Sequence, residues 1–187
     1  NTPIELKLYD RINSGATILT TDTQILEIII YQGKNAYGMI MIKENTDFKF
    51  NFNDLTTILD VRVIYGGIRA VLSEGIVTTI NSQTVKSAIY GADFGFISIV
   101  DEKGFRNGYS IVFGGELVFA SRKDLENSEL VKPRYICEFY DYKILTPRLY
   151  TKEEFLVWKP SMLFKTKNIP ENIKLILEYL EWEEEAV

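Results

Sequence analysis

Two Gly-Gly pairs, each set between runs of apolar residues, constrain this chain more than any other feature. The first lies in Val63-Ile64-Tyr65-Gly66-Gly67-Ile68-Arg69-Ala70-Val71-Leu72-Ser73, the second in Ile111-Val112-Phe113-Gly114-Gly115-Glu116-Leu117-Val118-Phe119-Ala120-Ser121. A two-residue type I′ turn needs positive φ at both central positions, which glycine adopts without steric cost. Each stretch therefore reads as a β-hairpin, the first with Tyr65 opposite Ile68, Val63 opposite Ala70 and Val61 opposite Leu72. Its other face carries Arg62, Ile64, Arg69 and Val71, which predicts partial solvation. The second hairpin is apolar on both faces, which predicts a more central place in a sheet.

What precedes each hairpin is also similar. Asn81 or Ser82 can cap a helix over Gln83–Tyr90, with Gly91 as its C-cap, before the strand Phe94–Val100 and a turn at Asp101–Gly104. Earlier, Asp22 or Thr23 can cap a helix over Gln24–Tyr31, although its β-branched run suits a strand equally. The strand Tyr37–Lys43 follows. Phe48, Phe50 and Phe52 then alternate with Lys49 and Asn51, which is strand spacing with one apolar face. Ile30-Tyr31 aligns with Ile89-Tyr90, and Tyr37-Gly38-Met39-Ile40-Met41-Ile42 with Phe94-Gly95-Phe96-Ile97-Ser98-Ile99. This points to an internal duplication. The expected fold class is α+β: antiparallel sheets from two similar helix-strand-hairpin units, plus a C-terminal helix. The expected divisions of one compact domain are an N-terminal strand and turn (1–21), a first unit with an insertion (22–80), a second unit (81–133) and a C-terminal extension (134–187).

At the N-terminus, Pro3–Tyr9 alternates as a half-buried strand would, and Asn13-Ser14-Gly15 turns. At the other end, Arg134–Lys143 reads as an aromatic-rich strand. Thr151-Lys152-Glu153-Glu154 starts a capped helical turn that Pro160 should stop. Asn168-Ile169-Pro170-Glu171 is a second helix start, with Asn at the cap. Ile173, Ile176, Leu177 and Leu180 form one stripe of that last helix, while Leu175, Tyr179 and Trp182 form another. Two apolar stripes mean deep packing or a reach for a partner. Glu183-Glu184-Glu185 reads as solvated.

Composition narrows the chemistry. The 187 residues include no His and a single Cys, Cys137, so Ser-His, Cys-His and His-metal sites and an internal disulfide are all excluded. Cys137 sits in an apolar strand and reads as an inert core thiol. A net charge of −5 is unlike the basic field of a general nucleic-acid binder, so a nucleic-acid partner is not expected. No apolar run approaches a membrane-spanning length and no leader pattern is present, so the expectation is a cytoplasmic protein without membrane attachment. Abundant Ile with scarce Gln fits a thermophile, or an AT-rich genome.

Among motifs, Asp141-Tyr142-Lys143 is the sharpest enzymatic candidate. An acidic-x-Lys triplet on a strand suits a metal-dependent nuclease if a second carboxylate, such as Glu116 or Asp101, lies close. Glu5-Leu6-Lys7 shows how readily such a triplet arises. The glycine pairs lead into strands rather than a helix N-terminus, so they are turns and not phosphate loops. The Phe48/Phe50/Phe52 stripe is a core face before it is a base-stacking platform.

A family resemblance rests on the second unit. The segment Thr84–Tyr90, the strand with Gly95, Ile97 and Ile99, and the return strand with Gly115, Leu117 and Ala120 together resemble the PATAN family and related prokaryotic domains. The resemblance spans about forty residues. In the first unit Gly38, Ile40, Ile42 and Gly67 fit, but Arg69 and Leu72 stand where the pattern has Leu and Ala. It implies an adaptor in prokaryotic signalling that works by protein contact, with no catalytic residues and no cofactor. The expected function is thus a non-catalytic interaction module with a protein partner, a second copy of the chain included. The expected interface is Arg62 and Arg69 on the first hairpin with Leu175, Tyr179 and Trp182 on the last helix. The alternative is a nucleic-acid-processing enzyme using Asp141 and Lys143.

Overall fold

The computed structural model describes residues 5–7, 10–53 and 55–177. Within them the chain is mostly β, and its strands join one antiparallel sheet. In chain order these are β1 (Thr17–Leu19), β2 (Leu26–Gln32), β3 (Asn35–Ile42), β4 (Asp47–Asn53), β5 (Ile58–Asn81), β6 (Val85–Val100), β7 (Arg106–Ser121), β8 (Ser128–Val131), β9 (Tyr135–Tyr140), β10 (Lys143–Ile144) and β11 (Arg148–Leu149). Two short helices follow, α1 (Lys152–Met162) and α2 (Glu171–Lys174). The backbone of the sheet runs β1-β4-β5-β6-β7-β9-β10, with β3 joining β5, β2 joining β3, β8 joining β7 and β11 joining β9.

This overturns the α+β expectation of helix-strand-hairpin units. Residues 85–90 alternate between buried and exposed, Val85, Ser87 and Ile89 inward and Lys86, Ala88 and Tyr90 outward, which is the period of a strand. The apparent helix cap at Ser82 is real hydrogen-bonding chemistry put to another use. Ser82 Oγ accepts from the N–H groups of Thr84 and Val85 and so closes the β5–β6 hairpin. Residues 26–32 likewise take the strand side of their ambiguity, pairing with β3 from Leu26↔Ile42 to Gln32↔Asn35.

Neither Gly-Gly pair is a turn. Gly66-Gly67 lies inside β5, a continuous 24-residue strand, and Gly114-Gly115 lies inside β7. The expected Val63–Ala70 and Val61–Leu72 pairs do not form; Val63 pairs with Phe48, Ala70 with Phe94 and Leu72 with Ala92. The glycines instead bend the strands. Gly66 has φ +97, and a Cβ there would stand 2.3 Å from Thr46 Oγ1. At that point β5 exchanges β4, which pairs residues 58–65, for β3, which pairs residues 68–72. Gly115 has φ +72, and a Cβ there would stand 2.3 Å from the Gly91 carbonyl oxygen. Gly91 in turn faces the irregular stretch of β5 between Leu72 and Val77. Neighbouring strands are therefore kinked along one line, as bulges do.

The kinks let one sheet close around its own inner face. Val77 N–H donates to Thr57 O at 3.1 Å, and Asp60 Oδ1 accepts from Thr79 Oγ1 and Asn81 Nδ2 at 2.5 and 2.7 Å, so the end of β5 returns to its start. The inner face is one core that includes Ile40, Phe48, Val61, Phe94, Phe96 and Phe119. Phe48 and Phe50 sit there as expected, at 0 % and 7 % exposure. Cys137 is buried, and burial beside Glu129 and Glu138 pushes its thiol up to about 12.

The termini of the expectation fare unevenly. Residues 5–7 carry no strand, and the remainder of the Pro3–Tyr9 reading lies largely outside the described residues. The α1 capping box is present: Thr151 Oγ1 accepts from Glu154 N–H and the Glu154 carboxylate from Thr151 N–H. Pro160 does not stop this helix, which continues to Met162. Among the described residues the last helix is α2, four residues long, with Pro170 rather than Asn168 at its cap and no side-chain cap bond.

Candidate functional site

The outer face of β3, β5, β6 and β7 holds the chain's unusual chemistry. Arg69 lies in the apolar run Ile68-Arg69-Ala70-Val71-Leu72 and Asp93 in Ala92-Asp93-Phe94-Gly95-Phe96. A charge within a buried strand needs a partner. Here each supplies the other's: Arg69 Nε donates to Asp93 Oδ1 at 2.9 Å and Nη2 to Oδ2 at 2.5 Å, with both side chains almost fully buried. Nη1 donates to the Met162 carbonyl at 2.8 Å. The guanidinium carbon stands 5.1 Å from the ring centroids of both Phe113 and Phe164. Arg69 was expected on a solvated face; it is instead 1 % exposed.

What buries it is the C-terminal part of the chain. From α1, Phe155, Trp158 and Met162 pack on Ile97, Tyr109, Ile111, Phe113 and Ile136, with Tyr150 beside them. Gly95 makes room for this, since a Cβ there would lie 3.1 Å from Met162 Cε. Beyond α1, Phe164, Ile169 and Ile173 cover Ala36, Met39 and Val71. Polar clasps hold the same segment. Lys43 Nζ donates to Ser161 Oγ at 3.0 Å, and burial draws the Lys43 amine below its usual range against the opposing effect of Glu44. The N–H groups of Lys165 and Thr166 donate to the two Glu27 carboxylate oxygens at 2.5 and 2.9 Å. Asn172 Nδ2 donates to Ala36 O.

At the edge of α1 the outer face continues into an open groove of about 590 Å³, lined among others by Lys43, Tyr65, Gly67, Ile97 and Ile99. Tyr65 and Ile99 are substantially exposed there.

The sequence-predicted interface residues are dispersed. Arg62 is exposed on the part of β5 paired with β4, opposite Lys49, whereas Arg69 lies under α1 and the segment after it. Leu175 is 87 % exposed. Tyr179 and Trp182 lie outside the described residues. The acidic-x-Lys triplet is a hairpin turn: Asp141 has φ +54 between β9 and β10, its N–H donates to Arg106 O, and Tyr142 lies under Lys123 Nζ at 3.8 Å. The Asp101 carboxylate accepts from the N–H groups of Lys103 and Phe105 in its own loop. Among the described residues no group of three or more acidic, Cys or His side chains is placed to hold a metal.

No family model matches the sequence, and no curated protein does. Two crystal structures of a putative anti-sigma factor from Parabacteroides distasonis ATCC 8503 are similar in fold. Each has a TM-score of 0.61 at 11 % identity, covering 77 % of this chain and 64 % of that one. This chain thus spans less than two thirds of that protein's crystallised length. At such identity the likeness is one of fold. Among the described residues no helix is long and apolar enough to cross a membrane.

Proposed function

We propose that this chain is a non-catalytic interaction module in prokaryotic signalling or regulation, acting by contact with a protein partner. The observation that carries the reading is the fold likeness to a protein named for regulation of another protein rather than for a reaction. The adaptor role implied by the PATAN resemblance agrees with it. The chemistry of the outer face agrees as well: Arg69 and Asp93 satisfy each other and hold a chain segment rather than facing a cavity. The triplet that favoured a nuclease stands on a tight turn whose backbone and ring are engaged locally.

The test is reconstitution. The chain and a partner isolated with it from its native cells should form a complex of fixed stoichiometry from purified components, seen by light scattering. A Mg²⁺-dependent cleavage of nucleic acid that is lost in Asp141→Ala would overturn the reading.

A further inference from the structure

The face that the C-terminal segment covers has the composition of a binding surface. The chain has three methionines: Met39 and Met41 lie on this face and Met162, at the end of α1, packs over it, each at 0 or 1 % exposure. Met39 pairs across the ladder with Val71 and Met41 with Arg69, and Met162 lies over Gly95. Methionine's flexible thioether adapts to different occupants, and surfaces that accept several partners overuse it.

The segment beyond Met162 lies on this face as a ligand lies in a groove. Its backbone is read without regard to sequence, through the 165 and 166 N–H groups on Glu27. Its side chains are read through Phe164 over the Arg69 guanidinium and through Ile173 against Ala36, Met39 and Val71, with Ile169, Ile176 and Leu177 half-buried beside them. Around these anchors Leu163, Lys165, Lys167, Asn168, Glu171, Asn172 and Leu175 are exposed, and among residues 163–177 Ile173 is the one fully buried side chain. A peripheral segment with one fully buried side chain opens at a lower cost than global unfolding.

We propose that residues 164–177 are an internal ligand, and that a segment of a partner protein takes their place on the Met39–Met41–Arg69–Val71 face. The partner segment has an aromatic residue to stack on Arg69, free backbone N–H groups beside it for Glu27, and a branched aliphatic residue nine positions further on. This names the contact surface of the interaction module proposed above and rests on that reading. The cis segment, at the high effective concentration that tethering gives it, sets the threshold that a partner must exceed.

The experiment uses the full chain and a fluorescein-labelled synthetic peptide of residues 161–177. In Ile173→Asp, whose substitution leaves the sheet untouched, the tethered segment loses its socket and the peptide should bind at least about tenfold more tightly than to the unmodified chain. Adding Glu27→Gln should weaken that binding, and a scrambled peptide should not bind. Equal peptide binding by Ile173→Asp and the unmodified chain, with β-sheet circular dichroism retained, would overturn the proposal. If Ile173→Asp does not fold, Phe164→Ser replaces it. Hydrogen exchange of the unmodified chain gives an independent reading: amides of 164–177 must exchange faster than those of β3 and β5, and equal protection would also overturn it. Failure of these readouts beside an intact reconstituted complex would remove this face and leave the interaction role standing.

Discussion

The two helical pieces over the outer face are held in different ways. α1 begins on a complete capping box, and Arg148 donates to both Glu154 oxygens at 2.9 and 2.7 Å. It buries Phe155 and Met162 at 3 % and 0 % exposure. α2 is a single turn without a side-chain cap, and Ile173 is its one buried residue. A four-residue helix does not nucleate by itself, so α2 owes its form to the strands beneath it. α1 is part of the fold, while the segment after it is a tenant of the surface α1 leaves open.

Breaking the floor common to both should have the largest effect. Asp93→Ala strands the Arg69 charge beneath the cover, and urea denaturation should show a loss of about 3–5 kcal/mol. A loss below about 1 kcal/mol would mean that water reaches the guanidinium. Phe155→Ala removes an α1 anchor and should cost about 3–4 kcal/mol in the same measurement, as one cooperative transition. Ile173→Ala should cost less, about 2 kcal/mol, and chiefly by local opening. Its signature is faster amide exchange confined to 164–177, and a shift of the whole melting curve equal to that of Phe155→Ala would erase the distinction between the two pieces. Thr151→Ala should cost about 1 kcal/mol through the lost cap.

Acid gives the gentlest probe of the difference. The hydrogen bond and charge of Arg148, with the Thr151 N–H, hold the Glu154 carboxyl down at about 2, below its ordinary 4.5. A depressed carboxyl contributes stability that is complete above its unfolded value and is lost as pH falls from about 4.5 through 2. The pair lies at the surface, so solvent screening limits the effect to about 1 kcal/mol or less. Glu154→Gln should flatten that part of the stability–pH curve. An unchanged curve would mean that the ion pair adds nothing to α1.

The sequence carried the local features of these regions and hid the long-range ones. The Thr151–Glu154 box was legible because cap and acceptor are three residues apart, and the Phe48/Phe50 face because its period is written in consecutive residues. The strands expected at 37–43 and 94–100 were legible for the same reason, and of the single strand expected over 134–143 the part 135–140 forms while 141–142 turn. Residues 83–90 misled because Ser82 supplies the same N–H acceptance to a hairpin as to a helix N-terminus. The Gly-Gly pairs misled because positive φ serves a bulge as readily as a turn; the difference lies in Thr46 and Gly91, which approach from other strands. For the candidate site, a lone Arg and a lone Asp in two apolar runs were a usable signal for a buried pair. Glu27, Lys43 and Phe164 gave none, because their roles depend on contacts with residues more than ninety positions away.

The Asn172–Ala36 clasp joins residues 136 positions apart. During synthesis the β3 and β5 strands leave the ribosome long before residues 164–177 do, and hairpins of neighbouring strands form early. For that interval Met39, Met41 and Val71 stand bare on a nascent chain. A helper protein that recognises exposed apolar surface would meet the same face that the finished molecule keeps closed, and the docking of residues 164–177 ends that exposure.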